Sequence, residues 1–336
     1  MERLAAARIT ARRQKVTRYE VIIIGGGPAG LTAGLYTSRA GLRSLLIERG
    51  MFGGQMANAT LVENYPGFPE GIAGPELGLL MHQQAVRYGL EEITTEVTGL
   101  TLTQGQLYGV STAEGDFEAA AIIIAAGSEY RKLGVSGEET FSGRGISYCA
   151  TCDGFFFRDQ EVAVVGGGDT AITDALELSR HASKVYVIHR RDQLRAGKAL
   201  QEQAFAHPKL EFIWDTVVDE LLGNKVLEEL KLRNVKTGQQ STLKVDGLFV
   251  AVGLMPNSHI FFDILDLDDA GYIITDEMMA TSLPGIFAAG DIRRNSPRQI
   301  AAAVGDGVTA AMSGFKYIQE QGNGIRTANP QADGKS

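Results

Sequence analysis

The sequence predicts an α/β chain with two Rossmann-like nucleotide-binding units. Two near-identical strand–turn–helix–strand passages carry that expectation, one beginning at Glu20 and the other at Glu161. The third observation is composition: 41 glycines in 336 residues suit a protein of tight turns and close backbone approaches. A chain of this length accommodates about two domains with ample core. Hydrophobic content of 44% and charged content of 21% are those of an ordinary globular protein.

In chain order, residues 1–18 come first, with six basic side chains (Arg3, Arg8, Arg12, Arg13, Lys15, Arg18) against Glu2 alone. An Arg-rich, acid-poor start could be a transit peptide, but it lacks serine and reads instead as a flexible, solvated arm. Glu20–Ile24 is an apolar strand that runs into Gly25-x-Gly27-x-x-Gly30, and Leu31–Gly41 reads as a helix followed by the strand Ser44–Glu48. The glycines let backbone N–H groups close on a pyrophosphate at a helix N-terminus, with Pro28 and Ala29 inside the turn. Glu48, eighteen residues past Gly30, stands where a carboxylate accepts ribose hydroxyls. Gly53-Gly54-Gln55 and Val62-Glu-Asn64-Tyr-Pro-Gly67 follow as loops rich in backbone donors and amides. Leu77–Tyr88 has helical spacing, and residues 91–118 alternate in a way that suggests antiparallel strands. Ala120–Gly127 is a buried strand ending at small residues.

Cys149 and Cys152, the only cysteines, follow in Ser147-Tyr-Cys-Ala-Thr-Cys-Asp153-Gly154. A Cys-x-x-Cys pair could be half a zinc site, two buried inert thiols, or a disulfide that opens by exchange. Zinc lacks further cysteines and any His-x₃₋₅-His pair, so no metal is expected. Asp153 beside the sulfurs favours exchange, because each step must move a proton. A disulfide lying between two nucleotide turns suggests an electron relay.

The second passage is Glu161–Val165, Gly166-Gly-Gly168-Asp169-Thr170-Ala171, a helix over Asp174–Arg180 and the strand Lys184–Ile188. No acid lies eighteen residues beyond Ala171; His189-Arg190-Arg191 does, with Arg195 a turn later. A carboxylate there would repel a 2′-phosphate, whereas paired arginines bind one bidentately, so this turn reads as NADP-selective. Trp214 reads as packing, and residues 225–251 as a meander returning to the buried strand Asp246–Gly253. Gly285–Asp291 ends a strand at an aspartate able to bond a cofactor's ribityl hydroxyls, and Arg298-Gln299-Ile300 opens a helix over Ala301–Tyr317. Residues 319–336 are a polar tail expected to be disordered.

The combination Gly25-Gly-Gly-Pro-Ala-Gly30, Gly53-Gly-Gln55, Glu63-Asn-Tyr-Pro-Gly67, Cys149-Ala-Thr-Cys-Asp153, Gly166-Gly-Gly-Asp-Thr-Ala171, His189-Arg-Arg191 and Gly290-Asp291…Arg298-Gln299 resembles the low-molecular-weight thioredoxin reductases of the bacterial type. The resemblance spans about residues 19–318. It implies three-layer ββα units, with an NADPH domain (128–246) inserted into an FAD domain (19–127 plus 247–318), and hinges near Gly127–Lys132 and Asp246–Gly253. It implies a homodimer carrying FAD, with electrons passing from NADPH through FAD and the disulfide to thioredoxin or a thioredoxin-like protein. FAD would be held by Gly25, Gly27, Pro28, Ala29, Gly30, Glu48, Gly54, Gln55, Asn64, Gly127, Asp291, Arg298, Gln299 and Ile300. NADPH would be held by Gly166, Gly168, Asp169, Thr170, Ala171, His189, Arg190, Arg191 and Arg195. Cys152 would face the flavin, Cys149 would attack the protein substrate, and Asp153 would be the acid/base. Two departures from the family stand out: Ser296-Pro297 where relatives often carry a tyrosine before the Arg-Gln pair, and basic Arg293-Arg294 where an acid is common.

A related dithiol oxidoreductase, using ferredoxin, a second flavin or oxygen, and a flavin redox sensor without turnover are the competing readings. A net charge of −8 argues against nucleic acid, and no apolar run nears the ~18–20 residues that cross a bilayer. Two cysteines and no disulfide scaffold suit the cytoplasm.

Overall fold

In a computed structural model, which describes residues 16–103 and 107–322, the chain forms a seven-stranded and a five-stranded sheet joined by a two-stranded ribbon, with a three-stranded sheet beside the second. The first strand, β1 (Thr17–Ile24), is followed by helix α1 (Pro28–Arg39), β2 (Ser44–Glu48), a 3₁₀ turn over Gly54–Asn58, α2 (Gly74–Val86), β3 (Glu91–Thr94), β4 (Val97–Leu102), β5 (Tyr108–Thr112) and β6 (Gly115–Ile124). Alternation in β1 supplies two cores at once. Val21 and Ile23 pack towards α1, while Ile22 and Ile24 pack towards the opposite layer with Leu100 and Val110. Continuous apolar strands buried on both faces are what parallel pairing requires, and β1 pairs in parallel with both β2 and β6.

The second sheet begins after β7 (Ser128–Tyr130). There follow α3 (Glu138–Phe141), β8 (Ile146–Ser147), α4 (Ala150–Asp153), β9 (Glu161–Gly166), α5 (Asp169–Leu178), β10 (Lys184–Ile188), α6 (Lys198–Ala206), β11 (Leu210–Ile213), β12 (Thr216–Gly223), β13 (Leu227–Asn234), β14 (Gln240–Lys244) and β15 (Gly247–Ala251). Strand order β11-β10-β9-β15-β8 is parallel throughout. Ile172, Ala175 and Leu178 of α5 cover one face, and Val218, Leu230 and Leu232 of the β12–β14 meander cover the other. Each unit is therefore a helix layer, a parallel sheet and an antiparallel β layer. The chain then returns through β16 (Leu254–Pro256) to β17 (Ile286–Ala288), which pairs with β6 in the first sheet, and to α7 (Ile300–Glu320), which packs on α1.

Several boundaries differ from the expectations. Thr17 and Arg18 belong to β1, not to the basic arm; the rest of the arm over residues 1–15 and the tail from 323 lie outside the described residues. β3 pairs in parallel with β2 rather than joining an antiparallel set; its mostly exposed, four-residue edge position hides the pairing from the pattern. Gly54 and Gln55 lie in a 3₁₀ turn instead of a loop. The strand expected at Asp246–Gly253 is β15, hydrogen-bonded within the second sheet, so the return crossing falls near Gly253 rather than at 246/247. Both crossings pair with each other: β7 runs antiparallel to β16, Arg131 N–H donates to Gly253 O (3.0 Å) and Asn257 N–H to Gly127 O (3.0 Å).

Candidate active site

The first glycine turn is closed by its own packing. Gly25 has φ +110°, and a Cβ on Gly30 would overlap the Gly25 carbonyl oxygen, so neither position accepts a side chain without movement. Gly27 caps α1, with Pro28 as its first residue, which suits a helix start. Around this turn the structure gathers most of the residues expected to hold FAD. Glu48 accepts the N–H groups of Gly26 (2.6 Å) and Gly50 (2.8 Å). Gly54 packs on Gly27, and Gly290 packs on Ala29. Gln55 Nε2 donates to Ser128 O (2.5 Å), next to Gly127, and Asn64 Nδ2 to Gln299 Oε1 (3.2 Å). Gln299 caps α7, and Ile300 is its first residue. Burial raises the carboxyl pKa of Asp291, partly offset by the Ser296 hydroxyl, which donates to it (3.0 Å) and accepts the Arg298 N–H (3.2 Å). Arg298, at φ +55°, lays its guanidinium over the Tyr272 ring (5.3 Å).

The two sequence departures have local partners. Ser296 is the residue that ties Asp291 to Arg298. Arg293 forms a bidentate pair with the buried Asp306 of α7 (2.5 and 2.8 Å), whose carboxylate also accepts the Gly290 N–H (3.0 Å). The pair therefore anchors the Gly290-Asp291 turn to the helix. No short motif announces Asp306, because its partners lie a turn of helix and a loop away.

Beside the second turn, Gly168 caps α5. Asp169 accepts the Gly197 N–H (2.7 Å), Thr170 is exposed, and Ala171 is buried where Gly30 stands in the first turn. Arg195 N–H and Ala196 N–H both donate to Gly167 O (2.7 and 3.2 Å), stitching the basic loop to the turn. Arg190, Arg191 and Arg195 are exposed around a hollow of about 340 Å³. His189 is set apart from them. Its ring is buried under Gly167, meets Trp214 edge-on (6.4 Å) and bonds Gln193 O (3.0 Å); burial lowers its pKa and keeps it neutral. A larger hollow of about 590 Å³, near Asp266, Asp268 and Asp269, shares no lining residue with either turn; Asp268 accepts N–H groups of its own loop.

Cys149 and Cys152 are joined, with Cα atoms 5.3 Å apart. Cys149 caps α4 and is half-buried, while Cys152 is exposed. One helical turn gives a weak dipole, so the groups that matter most are the side chains in contact. Ser147, held in β8 opposite Phe249, donates to Asp153 Oδ2 (2.6 Å) and accepts the Cys149 N–H (3.1 Å). Burial raises the Asp153 pKa, and the Ser147 hydrogen bond pulls it part of the way back. Tyr148 stacks on Tyr130 of β7 (5.1 Å), whose pKa burial pushes up to about 12, and donates to the buried Glu138 (2.8 Å). Glu138 also accepts the N–H groups of Leu133 and Gly134 (2.8 and 2.7 Å), linking the outward crossing to the cysteine motif. Sequence reasoning missed Ser147, Tyr148 and Glu138. The serine's place two residues before Cys149 was the only available signal.

The model of the pyridine nucleotide-disulphide oxidoreductases matches residues 19–307. The chain belongs to that family. It is 50% identical to a thioredoxin reductase of Listeria monocytogenes over 304 residues, covering 90% of this chain and 94% of that protein. Among solved structures, a thioredoxin reductase of Streptococcus pyogenes superposes with a TM-score of 0.87 at 47% identity, over 90% of this chain and 99% of that one. One of Lactococcus lactis, described as the FR conformation, has the same coverage and 46% identity but a TM-score of 0.62.

Proposed function

We propose that this protein is an NADPH-dependent thioredoxin-disulfide reductase. The observation that carries the reading is the Cys149–Cys152 disulfide, with Asp153 held beside it, in a chain that has one glycine turn answered by a carboxylate and another answered by arginines. The residues present fit both cofactors. In the first turn Gly27, at the α1 cap, has open space beside it, a Cβ there meeting nothing nearer than Gly54 Cα at 3.9 Å, and beside Gly127 the buried Ser128 hydroxyl has no partner. The second has an open turn and a basic hollow. When bound, NADPH would supply a hydride and FAD would supply the two-electron chemistry that links it to the disulfide.

The chain's own residues do the rest. Two electrons break the Cys149–Cys152 bond and leave two thiolates, of which Cys152 takes up a proton from Asp153 and Cys149 remains ionised. Cys149, as thiolate, attacks one sulfur of the thioredoxin disulfide, and the other thioredoxin sulfur leaves. Cys152 then attacks Cys149 Sγ, re-forming the bond and releasing the second thioredoxin sulfur. Asp153, whose raised pKa keeps a proton within reach, protonates the leaving thiolates, while Ser147 orients it.

Each sheet with its covering layers forms a domain, 16–127 plus 253–322 for FAD and 128–252 for NADPH. Equal identity and coverage with TM-scores of 0.87 and 0.62 support the same two bodies set at different angles, turning about β7 and β16. No helix among the described residues is long and apolar enough to cross a membrane, and the reading places the protein in the cytoplasm as a homodimer.

The test is NADPH oxidation by the FAD-loaded enzyme with a thioredoxin, oxygen or a small disulfide as acceptor. Turnover should need thioredoxin. Cys149→Ser should keep flavin bleaching by NADPH and lose thioredoxin turnover. Equal turnover with oxygen would replace the reading with a thiol oxidase, and no bleaching by NADPH would remove it.

A further inference from the structure

We infer that Lys236 is a fourth cation of the 2′-phosphate pocket and a determinant of preference for NADPH over NADH. The inference rests on NADPH as the donor. The 340 Å³ hollow is lined by Arg190, Arg191, Asp192 and Arg195 from the loop after β10, by Asp215 from the loop before β12, and by Lys236. Lys236 comes from elsewhere in the fold, the tip of the β13–β14 hairpin, more than forty residues from the arginines. Its ammonium lies 2.8 Å from Asp192 Oδ2 and 3.1 Å from Asp215 Oδ1.

The hairpin tip is fixed in place. Asn234 Oδ1 accepts the N–H groups of Lys236 and Thr237 (both 3.0 Å), Val235 N–H donates to Asp215 O (2.6 Å), and Asp215 N–H donates to Arg191 O (3.3 Å). Three segments distant in sequence are thus bonded into one rim, and the lysine is delivered to it by the meander.

Charge gives the rim its selectivity. Four cations against two carboxylates leave a surplus of two positive charges, and a phosphate monoester carries roughly −1.5 to −2 at neutral pH. Without Lys236 the surplus is one, and two unpaired carboxylates face the phosphate. The Asp192–Lys236 pair is well exposed (64% and 58%) and so costs little to open. Lys236 has three donors on a flexible stem, so Asp215 keeps one while a phosphate oxygen takes another. A 2′-hydroxyl carries no charge and gains nothing from this exchange.

The experiment measures binding of 2′,5′-ADP and 5′-ADP to the FAD-loaded enzyme by calorimetry, alongside KM for NADPH and NADH. Lys236→Ala should weaken 2′,5′-ADP about five- to twentyfold and change 5′-ADP by less than about twofold, the size of one charge-assisted contact. Asp192→Ala, which releases the ammonium, should tighten 2′,5′-ADP. Lys236→Gln keeps most of the stem and should match Lys236→Ala, serving in its place if that variant does not fold. Equal loss for both ligands, or none for either, overturns the assignment. Arg190→Ala with Arg191→Ala separates the two levels. If that variant loses 2′,5′-ADP and Lys236→Ala does not, only the lysine's role falls; if neither loses it, NADPH selection at this pocket falls too.

Discussion

The two glycine turns share one backbone plan and differ in how tightly they close and in what stands at the end of the following strand. In the first, Gly30 lies so close to Gly25 that a methyl group has no room, and Glu48 meets the turn through Gly26 N–H. In the second, Ala171 fills the matching place, Gly168 faces open space, and the strand end leads into arginines. On the proposed reading, the difference teaches that the repeated turn supplies a place for a pyrophosphate, while the residue at the tip of the next strand chooses between a ribose hydroxyl and a phosphate. The matching helices differ too. Six residues past each cap, α1 has the fully buried Ala33 and α5 has Asp174, whose carboxyl burial raises to a pKa of about 6.

The comparison is broken most forcefully at Gly30. Gly30→Ala should cost about 3 kcal/mol or more by overpacking and yield protein short of flavin, whereas Ala171→Gly should leave flavin content unchanged; absorbance and thermal melts check both. Next in size, Arg190→Ala with Arg191→Ala should raise KM for NADPH on the order of a hundredfold with KM for NADH nearly unchanged, as two lost charge-assisted contacts imply. Equal effects would make the arginines mere surface charge. The smallest effect is at Asp174. Its folded pKa of about 6 lies above the ordinary 3.8, so the carboxyl supports the folded state at low pH and loses that support as pH rises through about 6. Asp174→Ala should therefore be more stable than wild type by about 1–2 kcal/mol at pH 8, after allowance for solvent screening, and lose that gain by about pH 4 in parallel melts.

What was legible in the sequence is what local rules encode. Buried apolar strands, glycine turns, and the charge at a strand end all lie within thirty residues, so the order β1–α1–β2 and β9–α5–β10 could be read. Strands β2 and β10 match at both ends, but α1 and α5 start three and five residues earlier than expected. The sites' supports could not be read in this way. Ser147 matters because β8 is pinned beside β15, a hundred residues later, and Arg293 finds Asp306 only because α7 packs back over the Gly290-Asp291 turn. His189 is set apart from the arginines it was grouped with. It shares a motif with two arginines, yet the strand's alternation turns its ring inward beneath Gly167 and leaves the arginines outside.

The antiparallel ribbon of β7 and β16 has a mechanical consequence. Two peptide strands bonded edge to edge resist being pulled apart but yield readily to torsion about their common length, as the spine of a book does. Tyr130 belongs to that ribbon and touches Tyr148, the neighbour of Cys149. Between the spine and the sulfur atoms stand that aromatic contact and the Glu138 carboxylate, which bonds both the crossing and Tyr148.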